Sequence, residues 1–171
     1  MASDQEKTLE GLKVALQIEV EGKDFYTRAS QESSNELGKK LLATLAGEED
    51  YHRQVFASIY ESIRSNKGWP KIDFRADGGS GLRTVFSRSL TPNVTTSKSE
   101  LEAVFTARAM ETRTYDYYQS QKKRATSAPE RDFYERLAAQ EQEHNLVLAD
   151  YFEYMQNPAG WFVKKEHPSL D

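Results

Sequence analysis

The sequence predicts an all-α chain, a four-helix bundle with a long crossover between its second and third helices. Three observations carry this. Apolar residues recur at alternating spacings of three and four along four stretches, the signature of amphipathic helices. Glu19, Tyr26, Glu49 and His52 recur 92 residues later as Glu111, Tyr118, Glu141 and His144. Ala15 with Ala107, Asp24 with Asp116, Leu45 with Leu137 and Ala46 with Ala138 keep the same register. A duplicated helical hairpin follows from that offset. Between the copies, residues 67–97 lose the pattern.

The first hairpin covers 3–66 within one domain of 1–171. Its first helix starts near Ser3, where Ser-x-x-Glu through Glu6 makes a capping box. Leu12, Leu16, Glu19, Gly22 and Tyr26 then share one face. Ser33, Ser34 and Asn35 make a short turn. The second helix carries Leu42, Leu45, Glu49, His52, Phe56, Ile59 and Ile63 along one seam, and Gly68-Trp69-Pro70 closes it. Asp77-Gly78-Gly79-Ser80-Gly81 is turn chemistry. Leu82, Val85, Phe86 and Leu90 fit one short amphipathic helix, whose apolar face needs a place to pack. A connection this long can run the length of a bundle and set helices two and three parallel.

The second hairpin covers 98–157. Ser97 and Glu100 form a capping box, and Val104, Ala107, Glu111, Tyr115 and Tyr118 line the helix behind it. Ser127 and Glu130 read as another box, with Pro129 in the first turn. Tyr134, Leu137, Glu141, His144, Leu148, Tyr151 and Met155 repeat the second helix's seam. Pro158 and Gly160 stop this helix, leaving a tail over 158–171.

Composition narrows the function. A net charge of −4 over 171 residues gives no reason to expect nucleic acid or an anionic membrane. No stretch approaches the roughly 18 apolar residues of a membrane span. With no cysteine, the chain can form neither a disulfide nor a thiolate-bound cluster. The acidic, polar N-terminus lacks signal-peptide features, and the cytoplasm is the expected location.

Carboxylates on a bundle seam are costly to bury unless cations sit among them. Four carboxylates balance two divalent ions. Glu-x-x-His puts both side chains on one helix face, about 5–6 Å apart at Cβ, so both reach one centre. A single such pair on a helix is commonly solvated. Two in register, flanked by leucine and phenylalanine and joined by two further glutamates, match a known dinuclear arrangement in helical bundles. Glu19, Glu49, His52, Glu111, Glu141 and His144 are therefore the candidate ligands and catalytic residues. Tyr26 and Tyr118 either pack in the core or hydrogen-bond a ligand carboxylate. Asp24 and Asp116 point about 140° away from Glu19 and Glu111, toward solvent. Glu21, Glu48 and Glu143 neighbour the candidate ligands but face elsewhere, either solvated or supporting a ligand from behind, and His167 reads as surface. Val14, Ile18 and Phe25 form a second stripe on the first helix, suited to core breadth or a subunit interface.

The doubled Glu-x6-Tyr and Glu-x-x-His elements resemble the rubrerythrin and bacterioferritin branch of the ferritin-like superfamily over nearly the whole chain. The resemblance implies a ferritin-like bundle in which Glu19 and Glu111 are terminal ligands and Glu49 and Glu141 bridge two metals. His52 and His144 would bind one metal each. The tail from Gly160-Trp161-Phe162 to Glu166-His167 is similar to stand-alone rubrerythrin-like proteins. Two positions depart from rubrerythrins proper. No cysteine-ligated rubredoxin module is present. The additional glutamate three residues past the third-helix ligand is Thr114 here, with Gly22 as its repeat partner. The remaining ligand set is similar to a bacterioferritin-type oxidase centre.

Oxygen and nitrogen ligands suit iron, with manganese or zinc as alternatives. The expected activity is that of a di-iron oxidoreductase of rubrerythrin-like type. It would oxidise iron(II), or reduce dioxygen or hydrogen peroxide with an external electron donor. The expected assembly is a homodimer or larger homo-oligomer. Two other readings stand beside it: an iron-storage protein of ferritin type, and an interaction module with a static metal.

Overall fold

The computed structural model describes residues 1–74, 80–91, 94 and 96–166. Those residues form six helices: α1 (Asp4–Glu32), α2 (Glu36–Arg64), α3 (Ser80–Arg88), α4 (Lys98–Arg124), α5 (Ala128–Gln156) and α6 (Pro158–Glu166). Among them there is no strand, and no helix is long and apolar enough to cross a membrane.

The caps explain the boundaries. Ser3 and Glu6 close a full capping box on α1, and Ser97 and Glu100 do the same on α4. Asn35 caps α2 through the Gly38 amide, so only Ser33, Ser34 and Asn35 separate α1 from α2. At α5 the expected box is half made. Ser127 accepts from the Glu130 amide, but the Glu130 carboxylate accepts from Thr126 instead of reaching back to Ser127. α2 ends at Arg64, earlier than Gly68-Trp69-Pro70. Asn66 (φ 58°) and Gly68 (φ 76°) turn the chain there in the left-handed region.

Side-chain pairs reveal the topology. Tyr26 reaches Glu111 while Tyr118 reaches Glu19, so α1 and α4 run antiparallel. His52 meets Gln140 while Phe56 packs on Tyr134, so α2 and α5 are antiparallel too. Short turns make each hairpin antiparallel. Hence α2 and α4 point the same way, and the connection between them crosses the bundle as expected. The short helix expected in that crossover is α3. Its Leu82 and Phe86 are buried in the core with Tyr154 and Trp161. Of the expected turn Asp77–Gly81, the first three residues lie outside the described set, and Ser80 and Gly81 already belong to α3.

The chain past Pro158 is not simply a tail. Asn157 accepts from the Gly160 amide at 2.9 Å and Pro158 opens a new helix, α6, whose Trp161 returns to the core. His167 lies outside the described residues.

Two apolar clusters fill the bundle. One contains Leu41, Leu42, Leu45, Val147 and Leu148; the other contains Leu12, Phe56, Tyr118, Phe133 and Tyr134. A layer of buried glutamate and histidine separates them.

Candidate metal centre

Six ionisable side chains meet in that layer, one glutamate each from α1 and α4 and a Glu-x-x-His pair each from α2 and α5. Glu19, His52, Glu141 and His144 have no accessible surface, and Glu49 and Glu111 are 3% exposed. Each helix delivers its group because the polar residue takes a place in an otherwise apolar seam. On α2, Leu45 and Phe56 flank Glu49 and His52; on α5, Leu137 and Leu148 flank Glu141 and His144.

The groups converge as two overlapping sets. Ligand atoms of Glu19, Glu49, His52 and Glu141 lie within 4.8 Å of one another, as do those of Glu49, Glu111, Glu141 and His144. Glu49 and Glu141 belong to both. His52 Nδ1 stands 3.4 Å from Glu19 Oε2 and 3.2 Å from Glu141 Oε1. His144 Nδ1 stands 3.3 Å from Glu49, 3.6 Å from Glu111 and 3.4 Å from Glu141. The two imidazoles stack, with centroids 5.8 Å apart. Under the repeat, the His52 approaches to Glu19 and Glu141 correspond to those of His144 to Glu111 and Glu49.

This layer is polar, buried and short of partners. Glu19 Oε2, Glu49 Oε1, both Glu141 oxygens and both Nδ1 atoms have no hydrogen-bond partner. Orphaned atoms at this depth are expensive. A cation within each set would satisfy them together, so the donor chemistry fits a metal ion such as iron.

The tyrosines do more than pack. Tyr26 donates to Glu111 and Tyr118 donates to Glu19, each across to the other repeat. Burial first, then the facing carboxylate, raises both phenol pKa values well above the usual range, so both remain donors. The outer imidazole nitrogens differ. His52 Nε2 meets Gln140 Oε1 at 2.8 Å, whereas His144 Nε2 has no partner. Gln140 was not legible as a site residue, because its repeat partner is Glu48 and the identity changes between copies.

Electrostatics follow from crowding. Burial, then the neighbouring Glu49, raises the Glu19 pKa well above the usual carboxylate range. Burial and Glu141 push Glu111 up to about 8. Burial would raise Glu141 as well, but His144 and His52 on either side hold it low. Burial alone would lower the histidines, yet Glu19 at His52 and Glu111 at His144 raise both. Without a metal, protons take the cations' place.

A cleft of about 260 Å³ reaches the layer between α1 and α4, lined by Gly22, Glu49, Glu111 and Thr114 among others. A Cβ on Gly22 would lie 3.0 Å from Glu49 Oε2, so the missing side chain leaves room for that carboxylate. Thr114 lines the cleft, but its hydroxyl donates to the Met110 carbonyl of its own helix. Asp24, Asp116 and Glu21 are exposed as expected, and Glu48 is half-buried. Glu143 pairs with Arg83 of α3. Val14 is exposed, while Ile18 is half-buried and Phe25 packs on the core.

A four-helix bundle carrying this carboxylate–imidazole layer defines a class of metal-binding helical proteins. The family model for rubrerythrin matches residues 10–152, and the chain belongs to the rubrerythrin family. Searches of curated proteins and of solved structures returned no match.

Proposed function

We propose that the protein is a non-haem di-iron oxidoreductase that oxidises iron(II) or reduces dioxygen or hydrogen peroxide at this centre. One observation carries the reading: two cation-sized ligand sets share Glu49 and Glu141. Sharing is what a pair of metals needs to act together. Glu49 and Glu141 would bridge, Glu19 and His52 would complete one site, and Glu111 and His144 the other. Two irons held there would supply two electrons together.

The chain's own groups set the conditions. Six ligand side chains bring four negative charges when ionised, which offsets two divalent ions in a dry site. Metal uptake needs neutral imidazoles and ionised carboxylates, so the protons held in the empty layer must leave. Tyr26 and Tyr118 fix the rotamers of Glu111 and Glu19 from across the bundle. Gln140 orients His52. The α1–α4 cleft admits small reactants to the Glu49–Glu111 side, and its size suits iron(II), dioxygen or peroxide.

Anaerobic loading with iron(II), followed by dioxygen or peroxide in a stopped-flow spectrometer, tests the proposal. Rapid oxidation of two irons per chain supports it. Bound iron that never changes oxidation state returns the protein to a static metal module.

A further inference from the structure

The aromatic residues at one end of the centre form a continuous path to the surface. Tyr118, hydrogen-bonded to Glu19, packs on Tyr134 with ring centroids 6.0 Å apart and on Phe56 at 5.7 Å. Tyr134 lies 6.3 Å from Trp69, and Phe133 bridges the same two rings at 5.6 Å from each. Trp69 is half-buried and borders two open surface clefts. Every step is a ring-to-ring contact, short enough for rapid electron tunnelling.

Core packing alone does not require this. The repeat places Leu148, Leu41 and Leu42 where this end has Phe56, Phe133 and Tyr134. Those leucines are buried at the other end of the same bundle. The duplication thus retains the six ionisable groups and both tyrosines, while aromatic rings occupy these positions on the Tyr118 side. Trp69 comes from the crossover, which has no repeat partner.

We propose that Trp69, Tyr134 and Tyr118 form an electron conduit joining the metal layer to a one-electron reductant that docks at Trp69. The inference rests on the centre being redox-active. Tyr118 passes an electron inward and releases its phenolic proton to Glu19. Trp69 then supplies an electron to Tyr118, whose proton returns from Glu19, and the external reductant restores Trp69. Tyr134 serves as the bridge between them. Two such passes, with two protons from solvent, supply what reduces one hydrogen peroxide to two waters.

The test begins on protein loaded with redox-inert zinc, so that it does not depend on iron chemistry and the layer's protons are displaced. In a Trp161→Phe background Trp69 is the sole tryptophan. Flash-generated tris(bipyridine)ruthenium(III) oxidises it, and transient absorption follows conversion of the tryptophan radical to a tyrosyl radical. Fast conversion is expected, slowed by at least an order of magnitude in Tyr118→Phe and in Tyr134→Leu, and unchanged in Tyr154→Phe, which lies in the other apolar cluster. Tyr118→Phe retains the ring and thus separates conduction from folding. Conversion equally fast in Tyr118→Phe overturns the conduit. Freeze-quench paramagnetic resonance of the iron-loaded protein after peroxide gives the second arm. A radical altered by ring-deuterated tyrosine and lost in Tyr118→Phe supports the conduit in turnover. Iron that cycles with no such radical, and at the same rate in Trp69→Phe, overturns it. Inert iron together with fast conversion in the zinc-loaded protein sinks the oxidoreductase reading and leaves the wiring standing.

Discussion

His52 and His144 each aim Nδ1 at carboxylates from more than one helix, so each nitrogen sits at a crossing point of the fold. Each would be the only nitrogen ligand of its metal. A residue behind a metal ligand commonly accounts for about 10–100-fold in affinity or activity, and a direct ligand should matter at least as much. His52→Ala and His144→Ala are therefore each expected to slow iron oxidation at least about tenfold, read by stopped flow. A mere halving in each would mean that the metals act independently. Thr114→Glu is expected to raise the peroxide-driven rate relative to the dioxygen-driven one, because it would add a carboxylate to the cleft beside Glu111. An unchanged ratio of the two rates would remove that role for the position. The six glutamates and histidines that meet in the layer were legible in the sequence, since duplication marks each position twice, whereas Gln140 beside His52 was not. Nor was the direction of the tyrosine bonds. Spacing places Tyr26 on the face of Glu19, whereas the packed bundle hands its hydroxyl to Glu111. That choice depends on the antiparallel pairing of α1 and α4, which no local pattern encodes.

Helix ends carry much of the specification of the bundle. Glu100 caps its own helix and also accepts from Ser33 Oγ at 2.5 Å, the Ser34 amide at 3.0 Å and Asn35 Nδ2 at 3.2 Å. One carboxylate thus ties the start of α4 to the α1–α2 turn. These bonds pull its pKa down against the cost of burial. Glu100→Ala leaves several of these donors unsatisfied and should cost roughly 2–3 kcal/mol, measured as a lower urea midpoint. A change under about 0.5 kcal/mol would show that the turn holds itself. The capping boxes of α1 and α4 were legible because Ser-x-x-Glu is a local code. The long reach of Glu100 was not, being a contact across 67 residues. α6 escaped for another reason: Pro158 and Gly160 read as a stop, yet proline also suits a first turn once Asn157 supplies the cap.

For the whole molecule, the buried layer links pH, metal and stability. In the metal-free protein Glu111 is raised to about 8 from 4.5, so it binds its proton more tightly folded than unfolded. Its contribution is complete below pH 4.5 and is lost as pH rises toward 8. Both histidines, raised above 6.5, contribute below that pH and lose their share as pH climbs further. Glu141, held low, acts oppositely, and its contribution is lost only on the acid side of 4.5. The melting temperature of the metal-free protein should therefore fall with rising pH above 4.5, by calorimetry, and a flat profile would contradict the stated shifts. Metal bound there would replace those protons and stabilise by mass action. A loaded protein should melt well above the metal-free one, and equal melting would count against a buried centre. The helical class and crossover were legible at this scale, because periodicity and the repeat together leave few topologies. The aromatic path was not, since Trp69 joins it only after the crossover folds back. The most direct measurement is an anaerobic iron(II) titration of the wild type and of the double variant Glu49→Ala, Glu141→Ala. Two irons per wild-type chain and near-zero content in the variant is the predicted result. Full metal content in the variant would contradict the shared-carboxylate centre.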